Sequence, residues 1–362
     1  MSYTNYSGLK GGIKPKCIQR RRALMITAAA AGAPLLPWTN QSAMGAPIAP
    51  PPFSYRWRGN AFGTNANMIL HGLNKTDAHS AFMQCKTEIT RLEKIFSLKD
   101  KYSAISRLNK NSNISSPPKD FVHLLRICNA LSDATEGSFD VTVQPLWNLY
   151  DRHFSALSKQ SNGPAISALQ SEVAKINYRS IDINARHIRF SQPGMMITLN
   201  GIAQGYITDR IVGILQDYGA ENFLVDLGEL RGMGRRSDNR PWNIGMIDPE
   251  NPVRLKSKTE LNNEAMASSG GYGTIFEPTG ENHHLFNPFT GKSADFNKGV
   301  TVIARDTTTA DALSTAISVM PLERAARLLS IKHHTRAIVH LNDHTSVELN
   351  GCPQKVLQSF CE

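Results

Sequence analysis

The chain has 362 residues, enough to bury a full hydrophobic core in one large domain or two smaller ones. Hydrophobic residues make up 41% of it, and past the first forty positions no apolar run approaches the roughly 20 residues of a membrane span, so none is expected in a mature chain. The formal charge is +10, but six of the 40 Lys and Arg lie in residues 1–22 with no acid among them; the remaining 34 bases nearly balance 30 acids, which removes the main support for a nucleic-acid partner.

In chain order, the first feature is a leader. Lys10, Lys14, Lys16 and Arg20-Arg21-Arg22 precede the apolar stretch Ala23–Leu36, then Pro37 and the small-residue segment Ser42–Ala46. That layout predicts an export signal over residues 1–46. Arg21-Arg22 before a mildly hydrophobic, Ala-rich core is of the twin-arginine type, a route that carries folded proteins. A Pro-rich linker is expected over 47–54, and one domain over 55–362.

Apolar residues at Phe82, Cys85, Ile89, Leu92 and Phe96 predict a helix over His79–Leu98. Leu124, Leu125, Cys128 and Leu131 predict another over Asp120–Thr135, ended by Glu136-Gly137. Residues 152–180 read as a polar, partly helical insertion. Strands are expected at His187–Phe190, Met195–Leu199, Asn222–Leu227, Trp242–Ile247 and Val300–Ala304, and helices at Ile202–Tyr218, Thr309–Val319 and Leu322–Ile331. The pattern is mixed α/β without internal repeats. Cys85 and Cys128 read as small buried hydrophobes. Cys352 and Cys361 could pair if the chain is exported, and no Cys or His spacing suits a metal.

Four segments could carry chemistry. In ITLNGIAQGYITDR (197–210) an apolar segment meets a helix at Asn200-Gly201. The helix N-terminus suits phosphate and the turn's carbonyls suit a metal, while the plainer reading is a turn that needs Gly at positive φ. In TTADALSTAIS, Asp311 and Thr315 are four apart and share a helix face; as oxygen donors they suit a hard cation such as Mg²⁺, or are simply an acid and an inward threonine. SSGGYG (268–273) is a Gly-rich loop without a recognised phosphate-loop form; it leads to His283-His284, a pair that is ordinarily solvated surface. In GSFDVTV, Asp140 either caps a loop or binds a ribose or purine edge.

Taken together, and with Gly59–Thr64, FSLKDKYSAISRLN (96–109), EGSFDVTVQPLW (136–147), ENFLVDLGELRGMG (221–234) and HHLFNPFTGK (283–292), these segments run in one order from about Arg56 to Arg327. In that order the chain resembles the ApbE-type flavin transferases, which take FAD and attach FMN to a threonine of a partner protein. The resemblance implies a single mixed α/β (α+β) catalytic domain behind the export signal. It implies that Gly201, through its carbonyl, Asp311 and Thr315 hold Mg²⁺ beside the FAD pyrophosphate. It further implies that Phe62, Ser138, Phe139, Asp140, Thr198, Gln204 and Leu285 line the FAD site, and that His284 is the base for the acceptor threonine.

The chain departs from the family at Thr198, where members carry Asp, and at Gln204, where they carry Lys or Glu. It also has Asn287 for the Asp of His-x-x-Asp-Pro, and Lys99 for a tyrosine. These departures keep two alternatives open: a non-catalytic FAD-binding assembly protein, and an FAD pyrophosphatase that uses water as nucleophile. The TLNGIAQGY wording behind a twin-arginine leader most resembles the NosX-type accessory proteins of nitrous oxide respiration. That likeness implies a periplasmic protein, not membrane-spanning when mature, whose acceptor is a threonine of a membrane-bound redox protein.

Overall fold

The computed structural model describes residues 53–156, 162–251, 253–332 and 334–351. The expected leader, the linker up to Pro52, and Cys352 with Cys361 lie outside the described residues. β1 (Ser54–Ala61) and β2 (Thr64–His71) form an antiparallel hairpin with Ala61 opposite Thr64. Its two-residue turn places both Phe62 (φ +52°) and Gly63 (φ +75°) at positive φ, the backbone twist that suits a tight hairpin. Glycine adopts this freely, whereas Phe62 is strained by about 1 kcal/mol or more. Its N–H is tied down by Glu93 Oε1 at 2.7 Å.

α1 (Lys75–Phe96) starts at Asn74, whose side chain accepts the Asp77 N–H, and buries Phe82, Cys85, Ile89, Leu92 and Phe96. After α2 (Ala104–Asn111) and β3 (Asn113–Ser115), α3 (Lys119–Ala134) buries Leu124, Leu125, Cys128 and Leu131. Both helices extend the predicted stripes, and both cysteines are buried and free. α4 (Gln144–Ala156) and α5 (Ile166–Val173) follow. The polar insertion expected over 152–180 is more integrated than its composition suggests: Phe154 and Leu169 are buried with Leu146, Tyr150 and Phe286 in one cluster.

β4 (Ile181–Ile183) and β5 (His187–Phe190) pair with β3 in a small sheet. Met195–Leu199 is not the strand expected. Alternating burial of Met195, Ile197 and Leu199 imitates a strand, but the backbone bonds go to a side-chain amide instead. Asn109 Oδ1 accepts the Ile197 N–H and Asn109 Nδ2 donates to Ile197 O, both at 2.8 Å, and the Thr198 N–H reaches Val141 O. Polar satisfaction is complete at Ile197 without a neighbouring strand.

The remaining elements are α6 (Ala203–Asp217), β6 (Asn222–Asp226), β7 (Leu230–Met233), β8 (Trp242–Ile247), β9 (Leu255–Leu261), β10 (Ala265–Ser269), β11 (Gly299–Ala304), α7 (Thr307–Ser318), α8 (Leu322–Ser330), β12 (Arg336–His340) and β13 (Ser346–Asn350). Eight strands make one antiparallel sheet in the order β1-β2-β6-β7-β10-β11-β12-β13, and β8–β9 form a separate hairpin. One sheet face, with Phe223, Val225, Val300 and Val302, packs into the main core with residues of α1, α6 and α7. The other, with Ile69, Leu224, Leu230 and Ile303, is covered by Trp242, Ile244 and Met246 of the hairpin. Central strands buried on both faces lose polar alternation, as β11 does.

Asp226, 4% exposed at the end of β6, gives a pH signature. Burial pushes its carboxyl up to about 7, opposed by the hydrogen bond from the Gly228 N–H. The folded chain therefore holds a proton that the unfolded chain releases near pH 4, so this group's stabilising share falls as pH rises through about 7. Asp226→Asn is expected to raise stability at pH 8 by about 1–3 kcal/mol and to leave it nearly unchanged at pH 4. Urea midpoints at the two pH values check this; equal shifts at both would reject it.

Candidate active site

The site forms where α6 and α7 cross beside the ends of β10 and β11. Both glycines of the 197–210 segment are required there, for room. Gly201 lacks the positive φ expected of it; instead a Cβ would come within 2.8 Å of Thr315 Oγ1. At Gly205 a Cβ would lie 2.4 Å from Thr307 O and 2.8 Å from Asp311 Cβ, so α7 packs directly on this point of α6. The contact is polar as well: the Gly205 N–H donates to Asp311 Oδ2 at 3.0 Å.

α7 is itself held by carboxylates at its N-terminus. Asp306 accepts the Thr309 N–H, and Asp209 of α6 accepts those of Thr307 and Thr308, each at 2.8 Å. Acids at a helix N-terminus satisfy its orphan donors, and here they fix α7 against α6. As the sequence predicts, Asp311 and Thr315 share a face. They converge with Gly201 on the wall of one large cavity. Ser269 of β10 joins them, its hydroxyl 2.7 Å from Ser314 Oγ and 3.3 Å from Thr315 Oγ1. Among the described residues no group of three or more His, Cys, Asp and Glu gathers as a metal cluster. The donors here are one carboxylate plus hydroxyl and carbonyl oxygens, a set suited to a hard cation that keeps other ligands.

The same cavity brings together Ser138, Phe139, Asp140, Thr198, Gln204, His284 and Leu285. Phe62 lines an adjoining cavity with Lys99, the two sharing Trp147 and Asn200. Asp140 is a capping residue, the plainer of its two readings. Its Oδ1 accepts from the Thr142 N–H and hydroxyl, its Oδ2 from the Tyr178 N–H. Burial nevertheless pushes its carboxyl up, against those hydrogen bonds.

The histidine pair is not solvated surface. His283 is buried, its Nε2 2.9 Å from Ala294 O and its Nδ1 accepting the Leu285 N–H. Burial holds its pKa down. His284 stands in the cavity wall with Nδ1 3.2 Å from Thr274 O. A carbonyl can only accept, so Nδ1 carries a proton; in the neutral ring this leaves the lone pair on Nε2, the tautomer a general base needs.

The ApbE family model matches residues 62–339. The chain belongs to the ApbE family. An FAD:protein FMN transferase of Haemophilus influenzae is 31% identical over 270 residues, covering 72% of this chain and 76% of the relative. That of Vibrio cholerae is also 31% identical, over 66% of this chain and 74% of its own. Among solved structures, an ApbE protein from Thermotoga maritima superposes with a TM-score of 0.73 at 25% identity, covering 86% of this chain and all of its own. The flavin transferase ApbE of Vibrio cholerae gives 0.72 at 24%, a likeness of fold, over 84% and 99%.

Two of the residues read as departures, Gln204 and Asn287, are hydrogen-bonded into the fold. Gln204 donates to Leu227 O at 3.0 Å and to Thr64 Oγ1 at 3.2 Å, pinning α6 to the ends of β2 and β6. Asn287 Oδ1 accepts the Phe289 and Thr290 N–H groups, an Asx turn that a neutral amide makes as well as a carboxylate. Sequence reasoning missed Ser269, although it sits in the quoted SSGGYG segment, along with Trp147, Glu229, Tyr272, Thr301 and His340 of the cavity wall. His340 lies on a strand no motif announced.

Proposed function

We propose that this chain is an exported, Mg²⁺-dependent FAD:protein FMN transferase that modifies a threonine of a periplasmic or membrane-bound redox protein, in nitrous oxide reductase maturation. One observation carries the reading: the His284 base and the Asp311–Thr315–Gly201 oxygen set face one cavity. The relatives named FAD:protein FMN transferase support the activity. The basic, Ala-rich leader supports export, and no helix among the described residues is long and apolar enough to cross a membrane.

The acceptor hydroxyl attacks the FMN-side phosphorus of FAD. A new phosphoester bond forms, the pyrophosphate bond breaks, and AMP departs. His284 Nε2 takes the hydroxyl proton while its Nδ1–H stays on Thr274 O. Asp311, Thr315 and the Gly201 carbonyl would hold Mg²⁺, which when bound supplies positive charge beside the pyrophosphate. The N-terminus of α6 adds the positive end of its dipole for the same oxygens, while the Ile202 and Ala203 N–H groups are taken up by Leu199 O. Because a hydroxyl is a weak acid, positioning between these groups contributes more than the base itself.

The test is incubation of the mature chain with FAD, Mg²⁺ and the periplasmic domain of a candidate acceptor, followed by intact-mass measurement. An added FMN mass is expected. Free FMN and AMP without acceptor would mark a pyrophosphatase instead, and neither product, beside an active ApbE control, would sink the proposal. His284→Gln is expected to slow transfer by about 10²–10⁴-fold with FAD affinity nearly unchanged. A variant as fast as the parent would remove His284 from the reaction.

A further inference from the structure

The cavity does not end at the α6–α7 crossing. It continues beneath the β8–β9 hairpin into a chamber lined by Ile247, Pro249, Tyr272, Gly299, Thr301 and His340. His340 lies opposite Gly299 in the β11–β12 register. It shares a strand face with Ile338, two residues before it, which packs on the cluster under the hairpin. A Cβ on Gly299 would meet Pro249 at 3.3 Å and Tyr272 at 3.6 Å, so the absent side chain keeps this corner open.

The imidazole is 5% exposed. Its Nδ1 is fixed 2.7 Å from Ser346 Oγ, and its Nε2 is buried with no hydrogen-bond partner among the described residues. Orphaned buried polar atoms are rare and call for a reason. Burial, then Lys256, hold the ring neutral against the opposing charge of Asp248. A neutral ring has one donor and one acceptor nitrogen, and a serine hydroxyl complements either tautomer. Nε2 can thus face a donor or an acceptor edge.

We infer that His340 is a specificity-determining residue whose Nε2 hydrogen-bonds the ring edge of one heterocycle of the bound dinucleotide in the chamber beneath the β8–β9 hairpin. This rests on the proposed FAD site. It adds a contact one residue beyond the stretch matched by the family model, on a strand that supplies none of the site residues expected from the motifs. Adenine offers ring-nitrogen acceptors and an amino donor, and isoalloxazine ring nitrogens, an N–H and carbonyls, so the chemistry recognised is a nitrogen heterocycle rather than a phosphate or a sugar.

FAD fluorescence titrations of the mature chain, His340→Ala and His340→Gln test this. His340→Ala is expected to raise the Kd for FAD about tenfold, the usual scale for one lost buried hydrogen bond. His340→Gln, which keeps a polar edge and much of the bulk, should recover part of it. KM for FAD should rise in step with Kd and more than kcat falls. Competition by ADP and by FMN assigns the ring: weakened ADP competition places adenine in the chamber, weakened FMN competition the isoalloxazine. Parent-like FAD affinity in the folded variants would overturn the inference and leave an internal water as the partner of Nε2. Should His340→Ala not fold, His340→Gln decides alone. A parent that binds no FAD would instead overturn the proposed function, and this contact with it.

Discussion

Asp311→Asn is expected to cut FMN transfer about a thousandfold, roughly 4 kcal/mol of transition-state stabilisation, while the chain stays folded. The reasoning starts from what asparagine keeps. Asp311 is 4% exposed in α7, and its Oδ2 accepts the Gly205 N–H at 3.0 Å. An amide oxygen can accept that same bond in nearly the same volume, so the α6–α7 crossing survives. What is lost is the only formal negative charge in the oxygen set formed with Thr315 and Gly201. A hard divalent cation is held by charge more than by neutral carbonyls and hydroxyls, and removing such charge stabilisation typically costs several kcal/mol. Transfer rates with and without added Mg²⁺, beside thermal unfolding, check the expectation. The parent should lose activity with chelator, whereas the variant should be slow in both conditions at an unchanged melting temperature. Parent-like rates in Asp311→Asn would remove this carboxylate from the cation site.

This site was legible in part because helical spacing is a local property. Asp311 and Thr315 sit four apart, and any helix brings such residues to one face. Gly201 and His284 were readable only through the ordered motifs, since nothing local says that residues 83 positions apart in sequence meet in one cavity. The sheet was harder. β10 is buried at three successive positions, Ala265–Ala267, and so lacks the alternation that marks a strand, while β7 and β12 alternate in burial over only four and five residues. β9 is exposed over most of its length and reads as loop. Met195–Leu199 failed the other way: it has strand-like burial, but a single asparagine supplies both hydrogen bonds of Ile197. His283 was misread because a loop histidine is ordinarily wet, and only the fold puts Ala294 O against its ring. Gln204 and Asn287, which in sequence kept alternative readings open, are each hydrogen-bonded into the fold, a property no local pattern announces.

Gly205→Ala is expected to destabilise the chain by about 3 kcal/mol, the reverse of the ordinary effect of that substitution. Within a helix, alanine is favoured over glycine by roughly 1 kcal/mol, and α6 offers a direct comparison. At Gly213 a Cβ would find nothing within 4 Å, so Gly213→Ala should stabilise by up to about 1 kcal/mol. At Gly205 the same methyl would overlap the Thr307 carbonyl and Asp311 Cβ, both held in α7, whose first turn Asp209 and Asp306 clamp. Neither neighbour can swing aside as a flexible side chain would. The helices must separate, which breaks the Gly205–Asp311 bond and draws the carboxylate away from Gly201 and Thr315. Overpacking of this kind typically costs 1–3 kcal/mol, and the broken charged hydrogen bond adds to it. Transfer should therefore fall together with the melting temperature in Gly205→Ala, whereas Asp311→Asn separates the two. If both glycine variants changed stability in the same direction, close α6–α7 packing would not be the reason Gly205 is there, and the residue would have to serve an approaching ligand instead.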